Sequence, residues 1–405
     1  MHSMVEGGER SEDGGVAPPL PSSSGPPPRS GKDLEIADFT SSDLSRFDSI
    51  VVTPGLPLNR HPIAQRAREA GVEIIGDIEL FARARAELPV HKVVGITGTN
   101  GKSTTTALVH HILKTAGIPA AMGGNIGLPI LAQDALPKGG VYVLELSSYQ
   151  IDLTQSLDCD VAVLLNVTPD HLDRYESFEA YAASKERLLL MQSSDHKSVI
   201  NWDCFMKGLI TPMSAGFNGI VPLQAGEQLE WPALQGPHNA ENASAARDSC
   251  KWLGISEQAI EQGLRTFHGL PHRMERVAEK SGVLFVNDSK ATNPTAAAPA
   301  LAAFPKIRWI LGGQAKSDNL DECAPHFGHV VKAYTIGEAG EMFASLLSPH
   351  MAVADCVTLE EAVRAAASEA QAGETVLLSP ACASFDQFKD FEARGDAFRA
   401  LVGGL

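Results

Sequence analysis

Gly95–Thr106 reads GITGTNGKSTTT, and what flanks this stretch decides the fold. Before it, His91–Ile96 (HKVVGI) is a short run rich in β-branched residues, which predicts a buried strand. After it, Leu108, Ile112 and Leu113 recur at helical spacing in TTTALVHHILKTAG. Strand, glycine-rich turn, Lys-Ser and helix are the setting in which a phosphate-binding loop forms. Such a turn aims backbone N–H groups at an anion, and the helix N-terminus adds partial positive charge. Lys102 is placed to reach terminal phosphates, and Ser103 or Thr104 to offer a hydroxyl to magnesium. The usual first glycine of the motif is replaced by Ile96, with Gly95, Gly98 and Gly101 as the permissive positions. The pattern predicts a variant loop in a nucleotide-hydrolysing core.

Outward from the loop, strand and helix patterns alternate. VYVLEL (141–146), VAVLLNV (161–167), a helix over 178–191 and KSVIN follow, then two helices in HNAENASAARDSCKWLG and SEQAIEQGLRTF. The stretch 203–235 is poorly patterned and is left unassigned. From His272 the order is VLFVN, helix, RWILGG, helix, VVKAYTIG, helix, MAVADCV, helix, ETVLLS, helix. Alternation of this kind implies parallel strands with crossover helices, and ligands then bind where strand ends run into polar loops. Upstream, SIVVT, PIAQRAREAG, VEIIG and DIELFARARAE form a smaller α/β fragment. Residues 1–34, dominated by Pro, Ser, Gly and charge, are expected to be a disordered tail. The expected division is therefore tail 1–34, a first domain 35–90, a P-loop domain 91–269 and a C-terminal domain 270–405.

At 405 residues and 44% hydrophobic content, the chain is long enough for two or three packed cores. A net charge of −16 argues against a nucleic-acid or anionic-membrane surface, though not against an anionic substrate held by local cations. The six scattered cysteines have no metal-site spacing and are expected to be reduced core thiols. Neither a membrane span nor a secretory signal is expected, so the cytoplasm is the expected location.

Glu145 ends VYVLEL, where a strand-terminal carboxylate suits a nucleotide-bound magnesium. NVTPDHLDRY (166–175) gathers Asp170, His171, Asp173 and Arg174 just past a strand, and GGNIG offers Asn125 on a glycine-rich turn.

The ordered set TGTNGKST, GGNIG, LELSSYQID, NVTPDHLDRY, GPHNAEN, GLPHRME, NDSKATN, LGGQAKSDN and SPACASFDQFKDFEARG resembles the Mur ligase family, in its D-glutamate-adding branch. The resemblance runs from about residue 48 to the C-terminus. It implies a three-domain ligase joining D-glutamate to UDP-N-acetylmuramoyl-L-alanine through an acyl phosphate, with ATP and Mg2+, acting as a monomer. By that resemblance Gly98, Thr99, Asn100, Gly101, Lys102, Ser103 and Thr104 bind the ATP phosphates. Ser103 and Glu145 serve one metal; His171 and Lys185, the latter as a carbamate, serve a second. Asn239, Asn242 and Arg273 hold nucleotide, and Asp288 the ribose. Lys290, Thr292, Lys316, Ser384 and Phe391 shape the D-glutamate pocket, while Gly55, Asn125, Ser147 and Tyr149 face the muramoyl-alanine arm. Family members begin with a strand and glycine-rich turn that help build a uridine pocket. Here the Pro/Ser/Gly tail stands in that place, so the first domain is expected to be incomplete. Two alternatives follow: a nucleotide-binding remnant that no longer ligates, and a folylpolyglutamate synthase, which NDSKATN and SPACASFDQF disfavour.

Overall fold

The computed structural model describes residues 39, 41–170, 174–210, 217–220 and 227–405. The expected tail over 1–34 lies outside them, as do His171, Asp173 and part of the unassigned stretch 203–235. The described residues fall into two compact units. One lies within Met1–Thr99, Ala121–Ser198 and Asp203–Phe217, the other within Asn100–Ala120, Val199–Trp202 and Asn218–Leu405. The boundary passes through the glycine-rich turn, between Thr99 and Asn100.

In the first unit, β1 (Ser49–Val51) and β2 (Glu73–Ile75) pair in parallel through the crossover helix α1 (Pro62–Ala70). Leu44, Ile50, Val52, Ile63 and Ala67 pack here with Leu153. Helix α2 (Asp77–Ala84) carries Glu79, whose buried carboxylate accepts from the Gln155 N–H (2.7 Å), the Ser156 N–H (2.9 Å) and the Ser156 hydroxyl (2.8 Å). Hydrogen bonds in this number offset the cost of taking a carboxylate out of water.

The P-loop sheet contains β3 (His91–Thr97), β4 (Ala120–Gly124), β5 (Gly140–Glu145), β6 (Val161–Leu164), β7 (Lys197–Asn201) and β8 (Phe217–Ile220), in the order β4-β5-β3-β6-β7-β8. β3 pairs in parallel with β5 on one side and β6 on the other. β5 is buried at every residue, which is why VYVLEL reads as a continuous apolar run and not an alternating one. Because β4 and β5 lie to one side of β3 and β6 to the other, its carboxyl end is a topological switch point. The helices are α3 (Lys102–Thr115), α4 (Ser148–Asp152), α5 (Phe178–Leu190), α6 (Trp202–Met206), α7 (Pro237–Trp252) and α8 (Glu257–Thr266); in the second unit α3 packs on α7 and α8.

The C-terminal sheet is built from β9 (Glu275–Lys280), β10 (Val283–Asn287), β11 (Ile307–Gly312), β12 (Val330–Ile336), β13 (Ala352–Val357) and β14 (Thr375–Leu378), in the order β13-β12-β11-β14-β10-β9. All its pairings are parallel except β9 with β10. The associated helices are α9 (Pro294–Ala303), α10 (Gly340–Leu347), α11 (Leu359–Glu369) and α12 (Phe391–Gly403). Two expectations are corrected here. The antiparallel edge strand β9 was not foreseen. The helix expected between RWILGG and VVKAYTIG is a loop ending in a 3₁₀ turn, Ala324–His329, because Gly312, Gly313, Asp318, Asn319 and Pro325 oppose a continuous α-helix.

Candidate active site

In the first unit the loop begins pinned to neighbouring strand ends. The Thr97 hydroxyl donates to the Leu146 carbonyl (2.8 Å), and the Thr99 N–H donates to the Asn166 carbonyl (2.9 Å). The Thr99 and Tyr181 hydroxyls are 3.1 Å apart. At the end of β5, Glu145 is 2% exposed. Its Oε1 accepts from the Asn125 amide at 3.1 Å, whereas Oε2 is buried with no hydrogen-bond partner among the described residues. The Asn125 N–H also donates to the Glu145 carbonyl (2.8 Å). This close approach requires Gly124, where φ is +89° and a Cβ would collide with that same carbonyl.

Lys185, on α5, is 1% exposed, so it is no solvated surface lysine. Its Nζ donates to the Gly98 carbonyl (2.9 Å) and lies 4.6 Å from the Tyr181 ring centroid. Ser147 is the N-cap of α4: its Oγ accepts from the Gln150 N–H (3.2 Å) and donates to Gln150 Oε1 (3.1 Å). Tyr149 is half-buried beneath the Arg174 guanidinium, which donates to the Gly55 carbonyl. His171 lies outside the described residues.

In the second unit, Gly101 has φ +84°, a left-handed conformation at the N-cap of α3 that admits glycine at no steric cost. Lys102 and Thr104 are half-buried, and Ser103 is buried with its hydroxyl accepting from Arg273 Nη2 (2.9 Å). One residue past Thr104, the Thr105 hydroxyl donates to Asn242 Oδ1 (3.2 Å), and the Asn242 amide donates to Asn239 Oδ1 (3.1 Å). Asn242 is thus a buried partner of α3, with Asn239 buried behind it, and neither is an exposed helix residue.

Past β10, Asp288 Oδ1 accepts from the Met274 N–H (3.1 Å) and Oδ2 from the Ser379 hydroxyl (2.8 Å). Burial pushes the Asp288 carboxyl up to about 7 despite those hydrogen bonds and the nearby Arg273 charge. Lys290 Nζ sits 4.6 Å from the Phe391 ring centroid, a cation–π contact on a half-buried ring at the start of α12. Thr292 is half-buried and Lys316 exposed. Gln314 and Ala383 form an isolated antiparallel bridge, which ties the loop carrying Lys316 to the loop carrying Ser384. Ser384 is 2% exposed, and its Oγ has no hydrogen-bond partner among the described residues.

Sequence reasoning missed Arg394. This fully buried guanidinium donates to the Ser289 hydroxyl (3.0 Å) and to the Ser289 (2.9 Å), Cys382 (3.0 Å) and Ala383 (3.3 Å) carbonyls. It braces the loops beyond β10 and β14. The available signal was its helical spacing with Phe391 and Phe398 on the core-facing side of α12.

Among the described residues no group of three or more His, Cys, Asp or Glu side chains could hold a metal. Glu145 nevertheless fits one: a buried carboxylate oxygen left open is the hard donor that magnesium takes.

The arrangement has counterparts. Residues 96–213 match the Mur ligase middle domain, and residues 272–382 match the Mur ligase glutamate ligase domain. The chain belongs to the Mur ligase family, whose members are ATP-dependent enzymes that form amide bonds. Within it, the chain is 64% identical over 376 residues to the UDP-N-acetylmuramoylalanine–D-glutamate ligase of Novosphingobium aromaticivorans, covering 91% of this chain and 85% of that protein. The Zymomonas mobilis protein of the same name is 57% identical, over 92% of this chain and 86% of its own length. In fold, the chain is similar to the MurF ligase of Thermotoga maritima solved with ADP, with a TM-score of 0.61, 18% identity, and coverage of 85% of this chain and 92% of that one. The UDP-N-acetylmuramate-alanine ligase of the same organism gives a TM-score of 0.57 at 19% identity, over 88% and 85% of the two chains.

Proposed function

We propose that this chain joins D-glutamate to the L-alanine carboxylate of UDP-N-acetylmuramoyl-L-alanine, converting ATP to ADP and phosphate, in peptidoglycan precursor synthesis. The observation that carries this reading is 64% identity, over 91% of the chain, to a ligase named for that reaction.

A carboxylate is a poor acyl donor. In the proposed course the γ-phosphoryl group passes to it, giving an acyl phosphate. The D-glutamate amine attacks the carbonyl, the N–C bond forms, and phosphate leaves. Both steps gather negative charge, so positioning and cations must supply most of the catalysis. Lys102 and the amides of Gly98, Thr99, Asn100, Gly101, Ser103 and Thr104 take the phosphates. Ser103 and Glu145 would hold one magnesium, and His171 and Lys185 a second. When bound, these ions neutralise phosphate charge. For Lys185 to ligate, its neutral amine adds to carbon dioxide: the N–C bond forms, one proton leaves to solvent, and a carbamate oxygen replaces the ammonium. The position of Lys185 supports this, since its Nζ is buried against the Gly98 carbonyl of the phosphate-binding turn.

Asn239, Asn242 and Arg273 take the nucleotide, and Asp288 the ribose. Lys290, Thr292, Lys316, Ser384 and Phe391 take D-glutamate, with the unpartnered Ser384 hydroxyl as the best-supported contact. Gly55, Asn125, Ser147 and Tyr149 take the acceptor arm. The functional domains are 35–90, 91–269 and 270–405, and the enzyme works as a cytoplasmic monomer without nucleic-acid or membrane partners. No helix among the described residues is long and apolar enough to cross a membrane. No observation favours the remnant or folylpolyglutamate alternatives.

The test is phosphate release with UDP-N-acetylmuramoyl-L-alanine, D-glutamate and ATP, each omitted in turn, with L-glutamate and a folate acceptor as substitutes. Release that requires all three supports the reading. Release without the UDP-sugar, or with the folate acceptor, overturns it.

A further inference from the structure

Arg174 enters none of the roles above, yet its guanidinium is used on three sides. Nη1 donates to the Gly55 carbonyl (3.0 Å), and Nη2 donates to the next carbonyl, Leu56 (2.9 Å). The face of the group lies over Tyr149, 4.3 Å from the ring centroid. Tyr149 in turn stacks on Tyr175 at 18° and 6.1 Å, and the Tyr175 hydroxyl donates to Asp152 Oδ2 (2.7 Å). Beside this stack is a cavity of about 110 Å³, lined by Leu56, Leu58, Asn59, Tyr149, Asp152 and Arg174 among others.

We infer that Arg174 is a positioning residue for the acceptor subsite, holding the Gly55–Leu56 turn against Tyr149 in the form that receives the UDP-sugar arm. The inference rests on the proposed ligase reading, which places Gly55 and Tyr149 at that arm. Two adjacent carbonyls aimed at one planar fork suit arginine and not lysine, whose single ammonium cannot span both while stacking on a ring. Leu56 and Leu58 pack at the edge of the first-unit core and also line this cavity, so the conformation of the turn decides the shape of its wall. The two directed hydrogen bonds and the ring contact fix that conformation.

The experiment measures apparent KM for all three substrates in Arg174→Ala and Arg174→Lys, with and without guanidinium. Misplacing a binding group by about 1 Å can cost on the order of 100-fold. Arg174→Ala is therefore expected to raise KM for the UDP-sugar by about 10- to 100-fold. KM for ATP and for D-glutamate stays within about twofold, Arg174→Lys is intermediate, and guanidinium restores part of the loss in Arg174→Ala. Equal rises for all substrates, or an unchanged UDP-sugar KM, overturns the inference. Hydrogen exchange at Leu56 and Leu58 separates the two claims. If the unmutated chain does not ligate, the function reading fails, and the clamp is then judged on exchange alone: faster exchange in Arg174→Ala supports it, and unchanged exchange sinks it.

Discussion

Glu145 spends one carboxylate oxygen on the Asn125 amide and leaves the other buried and unpartnered among the described residues. Leaving a buried polar group unmet costs about 1–3 kcal/mol, more for a charged one. Glu145→Gln removes that charge at nearly constant shape, so the ligand-free variant should melt at or above the temperature of the parent. If the open oxygen is a magnesium ligand, phosphate release should nonetheless fall about 10²–10³-fold, as when one charge-stabilising group is lost. A variant that melts lower and still turns over ATP would show that the carboxylate is structural. Lys185 can be judged the same way. If Lys185 is carbamylated as proposed, Lys185→Ala should be nearly inactive, and acetate should restore part of the activity by supplying an oxygen ligand in place of the carbamate. Full activity in that variant would remove the carbamate from the mechanism.

At the scale of elements, β14 sits between β10 and β11, so the three loops leaving their carboxyl ends emerge side by side. They carry Lys290 and Thr292, Ser384, and Lys316. The Gln314–Ala383 bridge and the Arg394 guanidinium fix those loops through backbone atoms. Lys316 itself is exposed, so its removal should disturb a substrate carboxylate and little else. Lys316→Ala is expected to raise KM for D-glutamate about tenfold or more, the scale of one lost charged hydrogen bond, while KM for ATP stays near the parent value; parallel rises in both would mark a folding role instead.

Strands β10, β11 and β14 were legible because parallel strands covered on both faces are near-continuous apolar runs. β9 was not legible: ERVAEK is only partly buried at its inward positions, and its charges read as surface. β4, AAMGG, carries no β-branched residue to signal a strand. The loop motif and Glu145 could be read from residue type and strand position. For Arg394 the helical spacing marked a core-facing position but not its role, since only the fold reveals that the guanidinium reaches five acceptors on three separate segments, at Ser289, Gly312 and Cys382–Ala383.

Over the whole molecule, two buried carboxylates act on stability in opposite directions, Glu79 below its ordinary 4.5 and Asp288 between 3.8 and about 7. Burial pushes Glu79 up, but hydrogen bonds from Gln155, Arg83 and Ser156 outweigh it and hold the group below its ordinary 4.5. A depressed carboxyl stabilises the fold above its unfolded pKa, and that support is lost as pH falls through the folded value. Asp288 has the reverse sign. Burial raises it from 3.8 to about 7, so between those values the folded chain keeps a proton that the unfolded chain releases. Stability therefore falls as pH rises across that window, and the penalty is constant above it. At about 1.4 kcal/mol per unit, the full effect is on the order of a few kcal/mol. Asparagine is nearly isosteric here. Its oxygen can accept from the Met274 N–H, and its amide can donate to the Ser379 hydroxyl oxygen. Asp288→Asn should then be more stable than the parent at pH 8 and, because only part of the penalty has set in by then, more stable by a smaller margin at pH 5; if the carboxylate binds the ribose as proposed, KM for ATP should rise as well. Denaturant unfolding at the two pH values, paired with ATP kinetics, makes the comparison. An equal loss of stability at pH 5 and pH 8 would mean that the carboxylate is ionised and structural, with no stability sacrificed for nucleotide binding.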